Sequence, residues 1–234
     1  MAILGIIGGI APGSTVDYYE LLIERYRAAC PDGGYPQLVI NSINLEQLLQ
    51  LVAADEHDTL IEFLTIEIQR LAQAGADMAL FASNTPHLVF DAVAARAPIP
   101  LISIVEVTAR ATAAQQLTHV GLVGTRFTME GGFYQDVFHR LGIQVTTPGD
   151  SERAWIHERY LGELVNGEFR TETRGKFREI ILRMRDDVGI DGIVLGGTEI
   201  PLLLRGEDLG ELTTLDTTSL HVDEAIARLQ QCDG

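Results

Sequence analysis

The sequence predicts an α/β protein of two similar lobes, each a parallel sheet flanked by helices, related by a pseudo-two-fold with an active-site cleft between them. Three observations predict it. The stretch Ala76-Asp77-Met78-Ala79-Leu80-Phe81-Ala82-Ser83-Asn84-Thr85-Pro86-His87 returns in outline 114 residues later as Ile190-Asp191-Gly192-Ile193-Val194-Leu195-Gly196-Gly197-Thr198-Glu199-Ile200-Pro201. In both, an acidic residue precedes a short apolar run, then small residues, then hydroxyl or amide side chains. Such runs suit strands buried in a parallel sheet. Second, Gly5-Ile6-Ile7-Gly8 is echoed by Gly121-Leu122-Val123-Gly124, and each opens a hydroxyl-rich turn. Third, the second half repeats the order of strands and helices read in the first. Ser83 and Gly197 take equivalent places, so the lobes should superpose them. Their polar strand ends, where open α/β sheets bind ligands, should face one cleft.

Residues 2–8 read as the first strand and 14–29 as the first helix. Glycines 5, 8, 9 and 13 do not form G-x-G-x-x-G, and no Gly-Lys-Ser/Thr follows, so a nucleotide fingerprint is missing. Residues 30–36 have turn composition, and 37–41 form the second strand. Ser42 and Asn44 at its end either reach a ligand or cap the next element. Leucine spacing predicts a short helix over 45–54. A stronger one covers 59–74, with Leu60, Phe63, Leu64, Ile68 and Leu71 on one face. Residues 78–82 are the central strand, and a helix begins near Thr85 or Pro86, because proline is favoured in a first turn. Residues 101–104 close the first half, and a helix over 104–116 carries the chain across.

The second half reads as strand 119–123, helix 130–141, strand 144–147, helices 152–166 and 171–188, strand 192–195 and strand 212–216. A last helix over 219–231 takes Ser219 as its cap. Asp223 and Glu224 fall early in it, where the helix dipole favours acids.

Composition narrows the partners. Lys+Arg 17 against Asp+Glu 33 gives a net charge of −16, which argues against nucleic acid or an anionic membrane. Lys176 is the one lysine, which disfavours a Schiff base and hence pyridoxal phosphate. Residues 2–9 are too short and lack the basic leader of a signal peptide, and no apolar run approaches a membrane span. Cys30 and Cys232 lie outside every motif, and the six histidines lack metal-ligand spacing. The expectation is a cytoplasmic protein without metal or cofactor.

The two hydroxyl-rich turns, Ile10-Ala11-Pro12-Gly13-Ser14-Thr15 and Thr125-Arg126-Phe127-Thr128, each stand at the start of a helix. Free N–H groups and the helix dipole make such ends receptive to carboxylate or phosphate. An ordinary capped helix start is the other reading. Taken with Ser83-Asn84-Thr85-Pro86-His87, Gly124-Thr125-Arg126-Phe127-Thr128-Met129-Glu130 and Gly196-Gly197-Thr198-Glu199-Ile200, the chain resembles the aspartate/glutamate racemases, the pyridoxal-phosphate-independent amino-acid racemases, over nearly its whole length. The resemblance implies two discontinuous domains, 1–104 plus 217–234 and 105–216, with the last helix returning to the first. It also implies a homodimer, no cofactor and an amino acid or related small carboxylate as ligand. Members that racemise usually carry cysteine where this chain has Ser83, threonine in some, and cysteine where it has Gly197.

Racemisation removes the Cα proton from one face and returns one to the other, which two groups on opposite faces do most simply. Thiols suit this because their ordinary pKa near 8.5 is readily lowered. Ser83 needs an adjacent base, and His87, four residues on, is a candidate against a structural imidazole bonded to backbone. Gly197 offers no group, and as glycine leaves space for a bulkier ligand or an added side chain. Ser14, Thr15, Asn84, Thr85, Thr125, Thr128 and Thr198 would cradle carboxylates. Arg126 either pairs with a carboxylate or forms a surface salt bridge. Glu199 matches the family's Thr-Glu pair, as a structural hydrogen bond or a proton carrier. The function expected is cofactor-independent proton transfer at Cα by a divergent member. A lyase, decarboxylase or dehydratase on the same fold, and a non-catalytic carboxylate binder, stay open.

Overall fold

The computed structural model describes residues 2–30, 34–204 and 206–232, so part of the expected turn at 30–36 lies outside the described residues. The chain divides into two compact units, Met1–Ile104 with His221–Gly234, and Val105–Leu220. Each is an α/β layer structure around one four-stranded parallel sheet.

In the first unit the chain runs β1 (Ile3–Gly8), α1 (Pro12–Ala29), β2 (Gln37–Ser42), α2 (Leu45–Ala53), α3 (His57–Gln73), β3 (Met78–Phe81), a 3-10 turn (Thr85–Val89), α4 (Phe90–Ala94) and β4 (Leu101–Ile102). The strand order is β2-β1-β3-β4. All four residues of β3 are buried, as expected for a central strand covered on both faces. Helix α1 buries Ser14, Tyr18, Leu22 and Tyr26, one residue per turn on a single stripe. Helix α3 buries Leu60, Leu64, Ile68 and Leu71 in the same way. Each large apolar side chain so buried contributes roughly 1.5–3 kcal/mol.

Helix α5 (Ile104–Ala114) begins at the unit boundary. The second unit continues with β5 (His119–Gly124), α6 (Arg126–Glu130), α7 (Phe133–His139), β6 (Gln144–Thr146), α8 (Asp150–Gly162), a 3-10 turn (Leu164–Asn166), α9 (Thr171–Val188), β7 (Gly192–Gly196), α10 (Ile200–Leu203), a 3-10 turn (Gly206–Leu209) and β8 (Thr213–Asp216). The sheet order β6-β5-β7-β8 reproduces that of the first unit. Its core joins Ile156, Tyr160, Phe177, Ile181, Ile193, Leu195 and Ile200. Helix α11 (Thr217–Cys232) starts in this unit and ends in the first.

The acidic residue ahead of each central strand has the same task in both units. The Ile3 N–H donates to Asp77 Oδ2 at 2.7 Å. The N–H groups of Thr118 and His119 donate to the Asp191 carboxylate at 2.7 and 3.2 Å. Each carboxylate thus satisfies the opening N–H groups of the adjacent strand or the residue just before it, which the ladder leaves unpaired.

Three details differ from the sequence reading. The helix expected over 130–141 is the shorter α7, starting at Phe133 because Gly132 takes a left-handed φ of 77°, and the separate short helix α6 precedes it. The segment after Ser83 enters a 3-10 turn before α4. Helix α11 begins two residues before Ser219, and its cap acceptor is Asp216 Oδ1, which receives the Ser219 N–H at 3.1 Å. Of the two roles left open for Asn44, it takes that of a cap, its Oδ1 accepting from the Glu46 and Gln47 N–H groups.

Candidate active site

Strand pairing places the two polar clusters. Ile7 of β1 pairs with Phe81 of β3, and Val123 of β5 pairs with Leu195 of β7. Ser83 and Gly197 each stand two residues beyond those partners, at the carboxyl ends of their strands. Each unit gathers its own set of the expected residues.

In the first unit the start of α1 abuts the end of β3. The Ser14 hydroxyl, fully buried, donates to Ala11 O at 2.8 Å and lies 3.4 Å from Ala82 O. Thr15 Oγ1 accepts the Gly9 N–H at 2.8 Å and donates to Ala11 O at 3.1 Å. A side chain at Gly8 would meet Thr15 Oγ1 at 2.8 Å, so glycine lets the helix start close against β1. Both hydroxyls therefore hold the turn together, each giving its proton to Ala11 O. What the turn offers outward is backbone: α1 has no side-chain cap, and the space beside Gly13 is open. Ser83, Asn84 and Thr85 follow, all buried. No hydrogen bond of the Ser83 hydroxyl is found among the described residues.

His87 is not the base for Ser83. The Ile104 N–H donates to its Nε2 at 3.1 Å, so its Nδ1 carries the proton and donates to Asn84 O at 3.2 Å. Both nitrogens are spent on the main chain, and the ring stacks on Phe90 with centroids 4.9 Å apart. Burial, then the nearby His221, lowers its pKa to about 3. His221 has the opposite tautomer: its Nε2 donates to Ile102 O at 3.0 Å while Nδ1 accepts from the Tyr18 hydroxyl at 2.9 Å. Burial lowers it to about 4.

In the second unit Thr125 caps α6. Its Oγ1 accepts the Thr128 N–H at 3.3 Å and lies 3.2 Å from Thr128 Oγ1, so this pair too is spent on a helix start. Arg126 is exposed, its guanidinium 5.9 Å from the Phe127 ring, and it has no ion pair among the described residues. Its N–H donates to His157 Nδ1 at 3.2 Å. Burial, then Arg126, lowers the pKa of this half-buried histidine.

The largest departure from the sequence reading lies beside Gly197. The expected space is filled by Tyr160 of α8. A Cβ at position 197 would stand 2.7 Å from its Oη and 2.9 Å from its Cζ. The phenol donates to Glu199 Oε2, and the Thr198 hydroxyl donates to the same oxygen at 2.9 Å. Tyr160, Thr198 and Glu199 are all at most 5% exposed. Burial, then the Glu199 charge, pushes the Tyr160 phenol well above its ordinary pKa. Sequence reasoning missed Tyr160. Its place four residues after Ile156 marks it as buried, but nothing in the sequence says against what.

Among the described residues no group of three or more His, Cys, Asp or Glu is placed to hold a metal ion. No helix among them is long and apolar enough to cross a membrane.

The family model described as Asp/Glu/Hydantoin racemase matches residues 7–225. The crystal structure of an Asp/Glu racemase candidate from Yersinia pestis is 32% identical, with a TM-score of 0.89 over 99% of this chain and 100% of that one. That of an aspartate racemase homologue from Pyrococcus horikoshii OT3 is also 32% identical, with a TM-score of 0.83 over 98% and 100%. A glutamate racemase from Corynebacterium kroppenstedtii is 28% identical over 180 residues, 74% of this chain but 59% of that protein. The match thus spans about three fifths of that relative's length. With the family model matched from β1 to α11, this chain belongs to the Asp/Glu/Hydantoin racemase family.

Proposed function

We propose that this chain catalyses cofactor-independent proton transfer at the Cα of a small amino acid or related carboxylate. The observation that carries the reading is the doubled strand end. In each unit a helix start, held rigid by its own hydroxyls, abuts a strand that ends in small and polar residues. The uncapped first turn of α1, open at Gly13, presents backbone N–H groups that suit a carboxylate. Asn84 and Thr85 in the first unit, and Thr198 in the second, stand at their strand ends as substrate-binding candidates. Ser14, Thr15, Thr125 and Thr128 serve the ligand by shaping these turns. Ser83 is the candidate side chain at the end of β3, in the place where relatives that racemise usually carry cysteine.

The domain assignment, 1–104 plus 217–234 and 105–216, and a cytoplasmic homodimer belong to the same reading, on the sequence and the family resemblance. The test is incubation in D₂O with a panel of amino and hydroxy acids, followed by NMR. Loss of a Cα–H signal without change in the rest of the molecule supports the proposal. A product of altered mass assigns lyase, decarboxylase or dehydratase chemistry instead. Binding without either change assigns a carboxylate-binding protein.

A further inference from the structure

We propose that the Tyr160 hydroxyl, coupled to Glu199, is the proton-transferring group at the end of β7, standing in for the side chain that Gly197 lacks. The inference rests on the reading of Cα proton transfer and adds to it the identity of one acid–base group.

Three observations carry it. The phenol oxygen lies 2.7 Å from where a side chain at 197 would begin, so an ionisable oxygen occupies the region that side chain would enter. The phenol donates to Glu199 Oε2, and Thr198 Oγ1 donates to that oxygen at 2.9 Å, so phenol, carboxylate and hydroxyl form one connected set. Tyr160 reaches this place from α8, 39 residues distant from Glu199, so neighbourhood in the chain does not account for the pairing.

The chemistry balances without any co-reactant. The Cα–H bond breaks, and its electron pair stays on the substrate, delocalised into the adjacent carboxylate as an enediolate. The proton passes to the phenol oxygen while the phenol's own proton moves along the hydrogen bond to Glu199. The pair gains one proton and loses its negative charge. The reverse movement returns a proton to Cα. A buried phenol is a poor acid alone, and the carboxylate behind it allows the proton to move without leaving a bare phenolate. Thr198 steadies the carboxylate in the resting state. The same geometry accounts for Gly197, because any larger residue there displaces the phenol.

The experiment compares the native protein with Tyr160→Phe, Glu199→Gln and the double variant. Each is incubated in D₂O with L- and D-aspartate and L- and D-glutamate, and loss of the Cα–H signal is followed by NMR. Each single variant should slow exchange by roughly 10²-fold or more, with binding by calorimetry kept within a few-fold. The double variant should be no slower than the worse single one, because groups acting as a unit are not additive. Two residues with separate packing roles would give additive losses instead. Native-rate exchange in Tyr160→Phe overturns the inference. Should that variant unfold, native-rate exchange in Glu199→Gln, which keeps the side-chain volume, overturns it equally. A native protein inert toward these four acids and toward the wider panel of amino and hydroxy acids removes the broader reading, and this inference with it. A native protein that exchanges while both variants keep pace removes this inference alone.

Discussion

Replacing Gly197 with alanine should destabilise the protein through one identifiable neighbour. The added methyl would stand 2.7 Å from Tyr160 Oη and 2.9 Å from Cζ, well inside contact distance. The ring has little room to retreat, since Tyr160 is 5% exposed and packed in the core of its unit with Ile156, Phe177 and Ile200. Overpacking of this kind costs about 1–3 kcal/mol. Displacing the phenol also weakens its bond to the Glu199 carboxylate, worth about 1.5–3 kcal/mol for a charged acceptor. A total of about 2–4 kcal/mol corresponds to a Tm lower by roughly 5–10 °C for a chain of this size. Tyr160→Ala alone should cost about 3–5 kcal/mol for its cavity. In that background Gly197→Ala should cost almost nothing, because the collision partner is gone. Urea denaturation of the four proteins gives the coupling energy, expected at about 2–4 kcal/mol, the whole cost of the single Gly197→Ala change. A coupling below about 0.5 kcal/mol, the limit for independent sites, would refute the placement of Tyr160 against Gly197.

Three further outcomes rest on the same structure. The two buried histidines have pKa values near 3 and 4, below the ordinary 6.5, so the unfolded chain takes up protons that the folded chain refuses. Their contribution is therefore present above about pH 6.5 and is lost as pH falls toward 4, at up to about 3 kcal/mol per pH unit for the two together. Denaturation between pH 7 and 4.5 measures it, and His221→Gln should roughly halve that slope. Ser83→Cys with Gly197→Cys should show poor Cα exchange of aspartate or glutamate while Tyr160 fills the site. Adding Tyr160→Ala should raise exchange by roughly 10²-fold or more over the Tyr160→Ala parent, measured by NMR in D₂O. Asp191→Ala should cost about 1 kcal/mol in urea denaturation, because it frees the N–H groups of Thr118 and His119 at the opening of β5.

Much of the architecture was legible because it rests on local patterns. The apolar runs of β3 and β7, with Asp77 and Asp191 ahead of them, announce central strands, and the duplicated order announces two units of one topology. Boundaries were less legible where one residue overrides a pattern. Gly132, in a left-handed conformation, delays to Phe133 the helix expected from residue 130, and Asp216 takes the capping role that Ser219 suggests by composition. The site was legible as a list of places but not as a set of roles. Hydroxyls at Ser14, Thr15, Thr125 and Thr128 look alike whether they bind a ligand or close a turn, and only distances to Ala11 O, Gly9 N and each other decide. His87 reads as a base four residues from Ser83, until the Ile104 N–H claims its acceptor nitrogen. Tyr160 was readable only as a buried residue of α8, since its meeting with Gly197 depends on how α8 packs in the folded unit.

The most direct test of the account uses the absence of any cysteine from the motif positions. Cys30 and Cys232 are the chain's two cysteines, and neither stands at a strand end bearing the proposed site. Native protein is alkylated with iodoacetamide until no free thiol remains, then incubated in D₂O with the panel of enantiopure amino and hydroxy acids, and the Cα–H signal is followed. If oxygen groups at Tyr160, Glu199 and Ser83 carry the protons, alkylated and untreated protein exchange the Cα proton of at least one of these acids at the same rate. Exchange that disappears on alkylation, or a Cα–H signal unchanged with every acid, would contradict the account.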